Sequence, residues 1–274
     1  MSFQPVVPFG GIAGWQFLKR TMDTQRAAFD AAPSRQRDVD YFRQNIGKVT
    51  TAEQLVDDRR LLSVALGAFG LDDDINSKAF IRKVLEEGTL DRGALANKLT
   101  DSRYREFSAA FGFGNGVLPR TALSGFADEI GSAYLRRQFE TGVGESDQTM
   151  RLALTLEREL PGIASRDVGD DTKWLTVMGN PPLRRVFETA MGLPQSFGAL
   201  DLDRQLVEFR ERGERLFGLS SFADFADPEK QEELMRVFLA RAQISGGFGG
   251  GAGPTSPALQ LLQSASAGSA GAFF

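Results

Sequence analysis

Apolar residues recur along this chain at three- and four-residue intervals, and stretches that alternate apolar with polar are scarce. Leu55, Leu62, Leu66 and Phe69 stand seven, four and three residues apart, which lines them up on one helical face. Thr51 and Gln54 form a capping-box pattern ahead of that face, and Gly70 offers a left-handed stop behind it. Ser34 caps a predicted helix over 35–46, and Asn76 or Ser77 opens another that carries Phe80, Ile81, Val84 and Leu85 to a stop at Gly88. Further helices are predicted over 89–99, 101–111, 121–141, 146–160, 181–191, 202–217 and 228–243. Asp227 as N-cap with Pro228 at the first helical position gives the last of these the best start signal. The predicted fold is all-α, an irregular multi-helix bundle in which two packed lobes are one arrangement.

One short phrase repeats. Ala68-Phe69-Gly70-Leu71, Ala110-Phe111-Gly112-Phe113, Ala190-Met191-Gly192-Leu193 and Leu216-Phe217-Gly218-Leu219 each place a large apolar residue, then glycine, then another apolar residue. That is the chemistry of a glycine-capped helix end, where the residue beyond the glycine packs back on the last turn. The first two copies share an opening, Leu55-Val56-Asp57-Asp58-Arg59 against Leu99-Thr100-Asp101-Ser102-Arg103. Asp57 and Asp101 are the candidate caps there, and Arg59 and Arg103 are expected to make buried or half-buried bonds to carbonyls or to nearby carboxylates. Convergent punctuation and true duplication of a helical unit both fit, and the uneven spacing argues against a regular solenoid.

Two breaks in composition suggest boundaries. Segment 112–120 (GFGNGVLPR) is glycine-rich with Pro119, and after Gln243 the chain turns to Gly, Ser and Ala. The expected division is an extension over 1–13, a helical lobe over 14–111, a second over 121–244 and a flexible tail over 245–274. Such a tail buries too little apolar surface to offset its ordering entropy. Leu259, Leu261, Leu262, Phe273 and Phe274 are its exceptions, and they are candidate partner contacts.

Composition narrows the chemistry. A net charge of −4 lacks the basic footprint of a nucleic-acid binder. With no cysteine there is neither a disulfide nor a thiolate, and with no histidine the commonest general base and transition-metal ligand are gone. Met1–Gly14 lacks the basic start and apolar run of a signal peptide, and no apolar run approaches the ~20 residues of a membrane helix. The expected setting is therefore cytoplasmic, or export without a cleaved signal, with no membrane insertion.

Each sharp motif fails on a specific residue. Asp72-Asp73-Asp74-Ile75-Asn76 begins like a calcium loop but has Ser77 where glycine is needed and Lys83 where a bidentate Glu is needed. Glycines 112–116 and 246–253 lack the setting and residues of a phosphate cradle. Adjacent carboxylates such as Asp57-Asp58 and Glu86-Glu87 point in different directions from a helix, so they do not oppose one another across a cleft. Leu202, Leu206, Phe209, Gly213 and Leu216 make a two-heptad seam suited to an internal helix contact. No catalytic, cofactor or metal residues are nominated.

The stretch 41–113 resembles a bacterial domain family of unknown function. Tyr41-Phe42, Asp57-Asp58-Arg59-Arg60-Leu61-Leu62, Ala68-Phe69-Gly70-Leu71, Ile81-Arg82-Lys83-Val84-Leu85, Asp101-Ser102-Arg103-Tyr104 and Ala109-Ala110-Phe111-Gly112-Phe113 carry the likeness. It continues more weakly toward Gln243. Members are often encoded among flagellar genes, so the resemblance implies a motility or flagellar-assembly setting and brings no site residues with it. Lack of cysteine suits export through the flagellar channel and a cytosolic protein equally. The expected function is a non-enzymatic structural or assembly factor of the flagellum with a protein partner, its oligomeric state open. The alternative is a histidine-free enzyme using carboxylates in a cleft between lobes.

Overall fold

The computed structural model describes residues 3–116 and 118–248. They form thirteen α-helices and five short 3-10 turns, with no strand among the described residues. Among the described residues the cores are built by helix faces, with 3-10 turns and short connecting segments adding Phe197, Phe222, Phe225 and Val49.

Two apolar cores result. The first is built by α2 (Pro33–Asn45), α3 (Ala52–Asp57), α4 (Arg59–Phe69), α5 (Lys78–Glu87), α6 (Leu95–Lys98) and α7 (Ser102–Phe111). The second uses α1 (Gly11–Asp30), α9 (Gln148–Ala164), α10 (Asp170–Met178), α11 (Pro181–Met191), α12 (Leu202–Phe217) and α13 (Pro228–Phe248). Helix α8 (Phe126–Ser146) serves both: Phe126, Ile130 and Tyr134 enter the first, Phe139 and Val143 the second. The cores thus meet on α8 rather than in segment 112–120, and α1 sits with the C-terminal helices instead of an N-terminal lobe.

The abundance of phenylalanine becomes intelligible here. Phe69, Phe107 and Phe111 pack ring against ring where α4 and α7 end, with centroids 5.4 Å and 5.1 Å apart across Phe107. Trp174 is boxed by Phe187, Phe209 and Phe222, with edge-to-face angles of 82° to Phe187 and 86° to Phe222. Such contacts join helices at varied crossing angles without a polar atom to satisfy.

Several elements depart from the pattern reading. The helix expected to run from Thr51 through Phe69 is two, because Asp58 breaks it at ψ 100° and caps α4, its Oδ1 accepting from the amides of Arg60 (2.9 Å) and Leu61 (3.1 Å). Segment 89–99 yields only α6, since the Asp91 side chain accepts from the Gly93 amide and makes a turn. Helices α1 and α10 were not anticipated; early glycines and flanking prolines hide the first, whose Trp15, Leu18, Met22 and Phe29 nonetheless share a face. Helix α13 runs on through residues 245–248, into the segment read as tail. The remainder of that tail, with Leu259, Leu261, Leu262, Phe273 and Phe274, lies outside the described residues.

Gly70 and Gly112 end α4 and α7 at φ 69° and 71°, where a β-carbon is strained. Gly70→Ala and Gly112→Ala should each lower stability by about 1 kcal/mol, read as a fall of ~2–4 °C in the thermal midpoint for a chain of this size. Unchanged midpoints in both would show that these glycines are not needed as stops.

Candidate functional site

Where α8 passes from one core to the other, its charged residues turn inward. Glu140 is 6 % exposed. Arg158 of α9 meets it with two bonds, Nε to Oε1 at 2.7 Å and Nη2 to Oε2 at 2.9 Å. Arg158 also bonds Glu159, and Glu159 accepts from Arg137 of α8 at 3.0 Å. Two guanidiniums and two carboxylates thus form a continuous chain, largely out of water. Burial depresses the Arg158 pKa, yet the bonds and charge of Glu140 more than offset this and hold it above the ordinary arginine value. Arg137 is lowered, by burial and then by the charge of Arg158.

This chain reaches the first core through α4 and α7. The Arg137 and Arg103 guanidiniums both lie against Gly70, at the carbonyl end of α4. Arg103 Nη1 donates to the Gly70 carbonyl, and its Nε and Nη2 pair with Asp101, the N-cap of α7. Cationic groups at a helix C-terminus are favoured by its dipole. Nearby, Glu106 carries neither a hydrogen bond nor an ion pair among the described contacts. Burial first, then the charge of Glu159, raises its pKa against the pull of Arg166 and Arg137.

The residues nominated from sequence fall in different places. Asp57 ends α3, and the cap belongs to its neighbour Asp58. Asp58 also accepts from the Tyr41 hydroxyl at 2.6 Å. Arg59 is exposed and donates to Asn76 at 3.2 Å, so it is no counterpart of Arg103. With Asp58 and Asp101 aligned as caps, the residue matching Arg103 is Arg60. Gly192 and Gly218 take φ of 66° and 61° and end α11 and α12. The Leu71 and Leu193 amides reach back to Leu66 and Glu188, closing α4 and α11 in the six-to-one pattern. The acidic run is occupied internally: Asp74 accepts from Tyr104 and Asp72 from Gln138. Gly114 packs on the end of α5, where a β-carbon would lie 2.3 Å from the Glu86 carbonyl oxygen. Of the seam on α12, Phe209 and Gly213 are buried, Gly213 against Trp174, while Leu202 stays exposed.

The surface offers one feature that composition did not suggest. Helices α1 and α13 run antiparallel, with Gly11 beside Gln243, and between them lies a groove of about 510 Å³. Ile12, Trp15, Met235 and Leu239 supply its apolar lining, while Lys19, Arg20, Glu232 and Arg236 stand at its edges. Lys19 is paired with Glu157 of α9. Arg20 and Arg236 have no carboxylate partner among the described ion pairs. Phe9, 60 % exposed, lies outside this lining and packs edge-on against Phe17. Among the described residues no group of His, Cys, Asp and Glu is arranged to hold a metal ion. No described helix is long and apolar enough to cross a membrane.

The sequence profile of a family described as protein of unknown function (DUF1217) matches residues 68–231. The chain belongs to this family. A crystal structure of protein AGR_C_984 from Agrobacterium tumefaciens, 28% identical, superposes with a TM-score of 0.70 over 88% of this chain and 99% of that one. No curated protein matches. The DUF1217 segment contains the whole charge network from Gly70 to Glu159, whereas α1 and most of the α13 wall of the groove lie outside it.

Arg158→Ala should destabilise by about 3–5 kcal/mol, because it strands the buried Glu140 carboxylate, and adding Glu140→Leu should recover most of that loss. Equal denaturation midpoints for wild type and Arg158→Ala would contradict the network. Glu106 gives a pH signature. A carboxyl raised on folding contributes stability at low pH that is lost as pH climbs through its folded value. Glu106→Gln should therefore stabilise the chain at pH 7, and its advantage should vanish on acidification below the ordinary glutamate range. An advantage that grew in acid would refute the assignment.

Proposed function

We propose that this chain is a non-enzymatic structural or assembly factor of the bacterial flagellum, and that it acts by binding a helical segment of a flagellar component in the α1–α13 groove. The observation that carries the reading is the groove's construction. Its lining is apolar and includes a half-buried tryptophan, and at its edge stand Glu232 and two cations, Arg20 and Arg236, without an ion pair among the described residues. An amphipathic helix laid between two antiparallel helices would bury its apolar face on Ile12 and Trp15, above the already buried Met235 and Leu239. Acidic residues flanking that face would meet Arg20 and Arg236, so the partner expected is an amphipathic helix with acidic edges. The flagellar setting rests on the gene context that the family resemblance implies.

A second reading, a histidine-free enzyme, has Glu106 in its favour, since a carboxyl held above its usual range by burial is the raw material of a general acid. The two separate in the native host. Deleting the gene should impair swimming, and the tagged chain should capture a flagellar component identifiable by mass spectrometry. Ile12→Asp, at a 39 % exposed position on the groove, should reduce that capture by about tenfold, while Glu106→Gln swims normally. Normal swimming of the deletion strain would contradict the flagellar role. Loss of swimming with Glu106→Gln in a well-folded chain would favour the enzyme.

A further inference from the structure

Helices α1, α8 and α9 enclose a recess of about 200 Å³ at their junction. Met22 of α1, Phe139 of α8 and Leu154 of α9 give it an apolar wall. Each helix also contributes one guanidinium: Arg26 four residues after Met22, Arg136 three before Phe139, and Arg158 four after Leu154. Those spacings put each arginine on the same helix face as its apolar neighbour. Glu140 and Glu157 line the recess as well, but both are engaged. Arg158 holds the two oxygens of Glu140 at 2.7 Å and 2.9 Å, and Lys19 pairs with Glu157. Arg26, half-buried, and Arg136, exposed, make neither a hydrogen bond nor an ion pair among the described residues. Asp30, one turn beyond Arg26, feels its charge without pairing to it.

We propose that this recess binds a small organic phosphate monoester, with Arg26 and Arg136 holding the phosphoryl group and Met22 meeting the carbon portion. Guanidinium forks match phosphate oxygens in geometry as well as charge. Two uncommitted cations suit a dianion, whereas a lone carboxylate would satisfy only one of them. The carboxylates of the lining do not oppose the ligand, because each already has its own cation. Arg158 stays with Glu140 and closes the back of the recess. At about 200 Å³ the space falls below the roughly 300–1,000 Å³ of sites for drug-sized molecules. The ligand is therefore a small ester, not a nucleotide. The inference stands apart from the flagellar reading and from the α1–α13 groove that carries it.

Titration calorimetry of the full chain with phenyl phosphate tests this, at a pH well above the second phosphate pKa of about 6. Saturable one-to-one binding is expected, and Arg26→Gln combined with Arg136→Gln should weaken it by about tenfold or more. Neither arginine has a partner to strand, so the double variant should keep the wild-type thermal midpoint. Arg185→Gln is the control, since Arg185 on α11 lines a different cavity and also lacks an ion pair among the described residues. It should bind like wild type. Inorganic phosphate, which gains nothing from the apolar wall, should bind several-fold more weakly than phenyl phosphate. A capped phosphoserine tripeptide should bind no more tightly than phenyl phosphate. No saturable binding to the wild type, or an equal loss in the Arg185→Gln control, would overturn the proposal. Equal affinity for inorganic phosphate would also overturn it, since the ligand would then be a bare anion. Tighter binding of the tripeptide would overturn it by placing the phosphoryl group on a protein.

Discussion

Between Tyr134 and Phe139, helix α8 has to leave one core and enter another within about one turn. At that crossing Arg137 and Glu140 lie under α9 and against the end of α4, and water cannot solvate them fully. An isolated ion in such a place costs several kcal/mol. The chain meets that cost by placing Arg158 and Glu159 next to one another on α9, so that every charge of the four has an opposite neighbour. Both bonds of Arg158 to Glu140 fit only one register of α9 on α8. Hydrophobic packing alone tolerates sliding; a bidentate pair does not. The same crossing fixes α4 and α7, because Arg103 and Arg137 both face the carbonyl end of α4 at Gly70.

The charge network lies within the segment that the family profile matches, whereas both apolar cores extend beyond it and the groove is walled by α1 and the last helix. Helix α1 packs on α8, α9 and α13, so the floor under Trp15 inherits its rigidity from the crossing helix and its partner.

Much of the fold was legible in the sequence where a cap states its own chemistry. Helices α11 and α12 were bounded by a proline start or a glycine stop, and an apolar residue after the glycine marked the chain turning back. Legibility failed where two residues compete for one role. Asp57 and Asp58 are adjacent and chemically identical, and only the break at Asp58 tells which one caps. Helix α1 was obscured because Gly10, Gly11 and Gly14 look like a loop, although the Phe9 carbonyl sits where a Gly14 side chain would be. The charge network could not be read from spacing, because Glu140 and Arg158 look like surface residues until α8 and α9 are folded together.

If the crossing makes one cooperative unit of two cores, they must unfold together. The aromatic residues report them separately, since Tyr41, Tyr104 and Tyr134 belong to the first core and Trp15 and Trp174 to the second. Urea unfolding followed in parallel by tyrosine near-ultraviolet signal and by tryptophan fluorescence is the direct measurement. One coincident transition is the expected result. Two separated midpoints would show that the cores are independent, and that the buried charges on α8 and α9 do not couple them.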